Sequence, residues 1–136
     1  MTQVVCDTSV VLKWFHEEGE QELAEARALL EGHRAGALTA WILELTLYEL
    51  GNVLLRSLGW PASEVADQLD DLRAICPVLV PEPNALRRAA ELAETHALTF
   101  YDALYAAAAE LHGAALATAD EALLASGLGV RAGALV

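Results

Sequence analysis

Lysine is almost missing from this chain. Lys13 stands alone beside seven arginines, against twenty aspartates and glutamates in 136 residues, for a formal net charge of −12. That balance repels nucleic acid at long range and attracts cations or basic partners. Any chemistry on nucleic acid must then rest on a local arrangement. Lys13, Arg34, Arg56, Arg73, Arg87, Arg88 and Arg131 are the candidates for a basic patch, although scattered arginines more often serve as solvated ion-pair partners. Cysteine is equally sparse, with only Cys6 and Cys76. Cys6 falls inside an apolar run, which favours two reduced, packed thiols over a disulfide. Nowhere do about 18 uncharged apolar residues follow one another, and no basic residue precedes the first apolar run, so neither a membrane-spanning helix nor a secretory leader is expected. A cytoplasmic protein is the expectation. No proline-, glycine- or serine-rich stretch and no internal repeat divides the chain, so residues 1–136 are expected to form a single domain around one core.

What is present is a strongly apolar chain, 55% hydrophobic, in which short apolar runs alternate with stretches of helical periodicity. Gln3 to Cys6 reads as a strand running into Asp7-Thr8-Ser9, all good N-cap types, before a helix through Val10, Val11, Trp14 and Phe15. Glu20 to Glu31 predicts a second helix stopped by Gly32, with a short strand near Leu38 after it. Ile42 to Arg56 predicts a long helix, and Pro61 starts another with Val65, Leu69 and Leu72 on its apolar face. Val78-Leu79-Val80 reads as a strand. Ala85 to Thr95 and Tyr101 to His112 read as helices, Ala115 to Thr118 as a strand, and Val130 as the start of a last one. Short strands separated by helices imply an α/β fold, a short parallel sheet sandwiched by helices.

Four acids stand out against this apolar background. Asp7 and Asp120 fall at the carboxyl ends of predicted strands, where ligands bind in parallel sheets. Asp102 lies in a first helical turn that can reach the same edge. Glu49 lies mid-helix, where Thr46, Glu49, Asn52 and Arg56 fall within about 60° of one another and form one polar stripe on an otherwise apolar helix. Each acid also has a purely structural account. Asp7 and Asp120 can cap the helices after them, Thr99-x-x-Asp102 and Thr118-x-x-Glu121 match capping boxes, and Glu49 can pair with Arg56. Four carboxylates gathered at one edge would repel one another unless a divalent cation neutralised them.

The opening strand with Asp7-Thr8-Ser9, the Glu49-x-x-Asn52 helix, Tyr101-Asp102-Ala103-Leu104-Tyr105 and Thr118-x-Asp120, taken in this order over essentially the whole chain, resemble the PIN domain ribonucleases. Within these, the resemblance is to the VapC-type toxins of toxin–antitoxin pairs. It implies a single PIN-like domain acting as a metal-dependent endoribonuclease on RNA phosphodiester bonds. Asp7, Glu49, Asp102 and Asp120 would be the catalytic residues and would hold Mg²⁺ or Mn²⁺, with Thr8, Ser9, Asn52 and Thr118 orienting them. It also implies a homodimer and a cognate antitoxin, which an acidic toxin suits. Hard carboxylate oxygens match octahedral Mg²⁺, which keeps several waters and can orient one for attack on phosphorus.

His16, His33, His96 and His112 lack the spacing of zinc ligands, and Trp14, Phe15, Trp41 and Trp60 read as core or interface rather than base-stacking groups. Two other classes fit less well. A phosphoacceptor domain resembles this arrangement of acids but needs a lysine late in the sheet, and a haloacid-dehalogenase-like phosphatase needs Asp-x-Asp where this chain has Asp7 and Ser9. The remaining alternative is a non-catalytic PIN-like binding module that has lost RNA cleavage. The presence of all four acids favours the enzyme.

Overall fold

The computed structural model describes all residues, 1–136. Four strands, β1 (Thr2–Cys6), β2 (Leu38–Leu43), β3 (Val78–Leu79) and β4 (Ala115–Ala117), form a parallel sheet in the order β3-β2-β1-β4. β1 pairs with β2 from Thr2↔Leu38 to Val5↔Trp41 and with β4 from Val4↔Ala115 to Cys6↔Ala117, which places β1 at the centre. Central position explains its unbroken apolar run, since both faces of a parallel strand are covered. Val4 and Cys6 enter one core and Val5 the other.

Helices α1 (Thr8–Phe15), α2 (Leu23–Arg34), α3 (Glu44–Asn52) and α4 (Ala62–Ile75) cover the first face, with Val10, Val11, Leu29, Leu50, Leu54 and Leu72 packed against Val4 and Cys6. On the second face lie α5 (Pro83–His96), α6 (Phe100–His112) and α7 (Glu121–Ser126), contributing Ala89, Leu92, Ala103 to Ala109 and Leu123. Alanine favours the helical state and presents little bulk, so α6 can lie against both the sheet and α5. No helix is long and apolar enough to cross a membrane.

Four expectations shift. The helix expected over Glu20 to Glu31 runs from Leu23 to Arg34 and passes through the Gly32 expected to stop it, because a glycine mid-helix is tolerated at a modest cost. The helix expected from Ile42 begins at Glu44, because Ile42 and Leu43 pair with Val78 and Leu79 and so extend β2. A short apolar run carries no period that separates strand from helix. α3 continues beyond Asn52 as one wider π-helical turn, Val53–Ser57. The strand expected at Val130 is a single parallel bridge to Ala117, cut short by the 3₁₀ turn Ala132–Ala134. Cys6 and Cys76 are free and buried, and burial raises both thiols, that of Cys76 up to about 12.

Candidate active site

The carboxyl ends of β1 and β4 are adjacent, so the residues leaving them meet. Asp7 follows β1 and caps α1, accepting the Val10 amide on Oδ1 at 3.3 Å. Asp120 follows β4 and caps α7, accepting the Leu123 amide on Oδ2 at 3.0 Å. The capping account of both residues is therefore real, and it coexists with a second arrangement. Ser9 donates its hydroxyl to Asp7 Oδ1 and accepts the Ala119 amide, while Thr118 donates to Asp7 Oδ2 and accepts the Asp120 amide. Two hydroxyls thus relay the backbone of the β4–α7 turn onto the two oxygens of one buried carboxylate.

Glu49 is held by a different relay. The Leu43 amide donates to Thr46 Oγ1, Thr46 lies 3.0 Å from the Tyr105 hydroxyl, and Tyr105 donates to Glu49 Oε1 at 2.6 Å. Thr8 also donates to Glu49 Oε1, at 2.7 Å. Thr8 is the residue after Asp7, so this bond ties the β1 site to α3. Because the Leu43 amide donates to Thr46, the Thr46 hydroxyl is free to donate to Tyr105, and Thr8 lies within hydrogen-bond reach of both Tyr105, at 2.9 Å, and Glu49. Glu49 Oε2 accepts none of these bonds. Glu49 does not pair with Arg56, which is exposed.

Asp102 sits in the first turn of α6. Thr99 caps that helix by accepting the Asp102 amide at 3.1 Å, and its side chain also steadies the Asp102 carboxylate, but Asp102 does not complete the box. Thr118-x-x-Glu121 likewise makes no box, since Thr118 serves Asp7 and Glu121 pairs with Arg131. Asn52, expected to orient the acids, is exposed and makes no side-chain hydrogen bond; the π turn and solvent take that end of the stripe. Thr46, already on the Glu49 stripe, gains its role only through Tyr105, which sequence reasoning quoted within a motif but did not assign to the site. Tyr105 lies three residues beyond Asp102, and a polar phenol within an alanine-rich helix was the available signal.

The four carboxylates act on one another electrically. Burial pushes Asp7 up to about 6, opposed by its hydrogen bonds to Ser9, Thr118 and Val10, with the Asp120 charge adding to the rise. Burial also raises Asp102, helped by the charges of Asp120 and Glu49. Asp7, Asp120, Asp102 and Glu49 thus form one coupled patch, and no lysine or arginine bonds to any of them. No group of three or more His, Cys, Asp or Glu side chains in this structure could hold a metal ion, so the expected convergence of Asp7, Glu49, Asp102 and Asp120 on one ion is not seen, and the acids are linked only pairwise, Asp7 to Asp120, Asp120 to Asp102 and Asp102 to Glu49. What the donor set does offer is its chemistry: hard carboxylate oxygens are the ligand type of Mg²⁺, which is usually bound through one or two carboxylates and retains waters.

The sequence matches the family model described as PIN domain over residues 4–126. This chain belongs to the PIN domain family. The fold of this PIN domain is shared by PAE2754 of Pyrobaculum aerophilum, at 28% identity, TM-score 0.70, covering 98% of this chain and 92% of that one. It is also shared by VapC20 of Mycobacterium tuberculosis, described as a sarcin–ricin loop cleaving toxin, at 20% identity, TM-score 0.73, covering 94% and 98%. A third similar structure is VapBC2 of Rickettsia felis bound to a promoter DNA fragment, at 17% identity, TM-score 0.72, covering 96% and 97%. No curated protein sequence matches the chain significantly.

Proposed function

We propose that this PIN domain is a metal-dependent endoribonuclease toxin of a type II toxin–antitoxin pair, hydrolysing RNA phosphodiester bonds at Asp7, Glu49, Asp102 and Asp120. The observation that carries this reading is the coupled carboxylate patch that no cationic side chain neutralises. Support also comes from the PIN match and from neighbours described as toxins or toxin–antitoxin complexes.

Mg²⁺ or Mn²⁺ at the patch would supply a bridge to the substrate phosphate and lower the pKa of a bound water. The chain's own residues do the positioning. Asp102 and Glu49 Oε2 carry oxygens not already bonded within the protein, so they are the first to be offered to an ion. Asp7 has both oxygens engaged by hydroxyls and sits deepest, and Asp120 keeps Oδ1 free while Oδ2 caps α7. Thr8, Ser9 and Thr118 hold these carboxylates in fixed orientations and deny them the freedom to turn away from one another.

The acidic charge suits a basic antitoxin segment, and the same family reading brings a homodimer. The decisive experiment is hydrolysis of single-stranded and stem-loop RNA by the purified chain. Cleavage is expected with Mg²⁺ or Mn²⁺ and none with EDTA; undiminished cleavage in EDTA would sink the proposal.

A further inference from the structure

The chain has three tryptophans, three tyrosines and two phenylalanines, and they divide sharply. Trp14, Phe15, Trp41 and Trp60 are half-buried and Tyr105 is buried, whereas Tyr48, Phe100 and Tyr101 are 62%, 42% and 60% exposed. All three exposed rings adjoin site carboxylates. Tyr48 precedes Glu49, and Phe100 and Tyr101 precede Asp102.

Topology brings both segments to the same edge. α3 starts at the residue after β2 ends, so its first turns lie at the carboxyl edge of the sheet. α6 leads back into β4, so its first turn lies near the end of the sheet from which Asp120 emerges. Tyr101 is one helical turn before Tyr105 and shares its face, and Tyr105 reaches Glu49. Tyr48 is held in place by its hydroxyl bond to Glu44. Apolar groups scattered over a surface need no explanation, but exposed rings confined to one edge do.

The cations explain what such rings would be for. Lys13 is buried against Glu20 and the Gln21 carbonyl. Arg27, Arg34, Arg88 and Arg131 are each paired with glutamates, leaving only Arg56, Arg73 and Arg87 without an ion pair. A chain of net charge −12 with so few free cations has little means of neutralising a phosphate backbone. Affinity for a single strand then needs a non-ionic source, and stacking of bases on aromatic rings is one that tolerates any sequence.

We infer that Tyr48, Phe100 and Tyr101 form a stacking platform for unpaired nucleobases on either side of the phosphodiester presented to the carboxylates. The inference rests on the ribonuclease reading above. It commits the rim to single-stranded nucleic acid rather than to a protein, because the rings stand within two residues of Glu49 on α3 and of Asp102 on α6, the acids at which the scissile phosphate would be presented.

The test compares two ligands of equal length and charge, a 2′-O-methyl single-stranded oligonucleotide and its abasic counterpart, each verified intact by gel electrophoresis after the measurement. Binding is measured by fluorescence anisotropy in Mg²⁺ for the native chain, for Tyr48→Leu combined with Tyr101→Leu, and for Tyr101→Trp. The native chain should prefer the base-bearing ligand by about tenfold or more, the double leucine chain should bind both nearly equally, and Tyr101→Trp should keep the preference. Equal binding of the two ligands by the native chain, or no binding of either, overturns the inference. So does a preference that survives in the double leucine chain, and if that chain also loses self-association the rim belongs to a protein contact. A base preference in a native chain that hydrolyses no RNA supports the platform while removing the ribonuclease reading; hydrolysis without base preference does the reverse.

Discussion

At the scale of single residues, the site is a set of carboxylates distinguished by what already holds them. Tyr105 donates to the Glu49 oxygen that also receives Thr8. Tyr105→Phe removes that donor and leaves Thr46 without its phenol partner inside the core. A hydrogen bond to a charged group contributes about 1.5–3 kcal/mol. The variant should therefore fold with native circular dichroism but bind Mn²⁺ roughly tenfold more weakly, as titration calorimetry would measure. Unchanged Mn²⁺ affinity would show that Glu49 needs no such support. Asp102 is the opposite case, because burial and the charges of Asp120 and Glu49 raise it against a single opposing hydrogen bond from Thr99. Asp102→Asn removes charge repulsion while its amide oxygen can still accept from Thr99. It should abolish RNA cleavage while leaving the metal-free melting temperature unchanged or higher; a clear fall in that temperature would mean the carboxylate is structural.

At the scale of elements, the site is shaped by where strands stop and what crosses them. The turn after α7 runs over Thr118, and a Cβ added at Gly129 would lie 2.6 Å from Thr118 Cγ2. The neighbouring backbone cannot yield easily, since the Thr118 amide donates to the Val130 carbonyl and the Val130 amide to that of Leu116. Gly129→Ala should therefore cost about 1–3 kcal/mol in urea unfolding, the range for overpacking, and should reduce cleavage by displacing the hydroxyl that holds Asp7. A stability equal to the native chain would show that the turn relaxes freely. The central strand, the helix bearing Glu49 and the alanine-rich helix with Asp102 in its first turn were all legible from apolar pattern and caps. The boundary between β2 and α3 was not, because the short apolar run from Ala40 to Leu43 carries no period, and its state was settled by pairing with β3, far along the chain.

At the scale of the whole molecule, charge governs both stability and partners. Asp7 is pushed up to about 6 from an ordinary 3.8. Between those values the folded chain holds a proton that the unfolded chain has released, so metal-free stability should fall as pH rises from about 4 to 6. The penalty reaches about 3 kcal/mol at neutral pH. A divalent cation at the patch offsets that penalty, so Mn²⁺ should raise the melting temperature more at pH 7.5 than at pH 5. Equal increments at the two values in scanning calorimetry would place the ion away from Asp7. The same acidity makes a salt-sensitive partner the expectation. A basic C-terminal segment of the cognate antitoxin should bind more weakly as salt rises and when Asp7→Asn is combined with Asp102→Asn. Binding indifferent to both would locate recognition outside the carboxylates.

Sequence by itself determined the order of strands and helices and the N-caps at Asp7, Thr99 and Asp120, and it singled out four acids as candidates, because periodicity, cap chemistry and the high cost of placing charge in apolar surroundings are local properties. It also determined the PIN resemblance, since the motifs stand in order along the chain. Only the tertiary structure decided which polar groups serve those acids. Tyr105 lies 56 residues from Glu49 and Thr118 lies 111 from Asp7, separations that no local pattern spans. Asn52 and Arg56 shared the Glu49 stripe in sequence and were lost from the site, since angular position on a helix says which residues share a side but not where burial ends along it. The parallel sheet supplied the deciding geometry: it set the carboxyl ends of β1 and β4 side by side and turned caps into a coupled carboxylate patch.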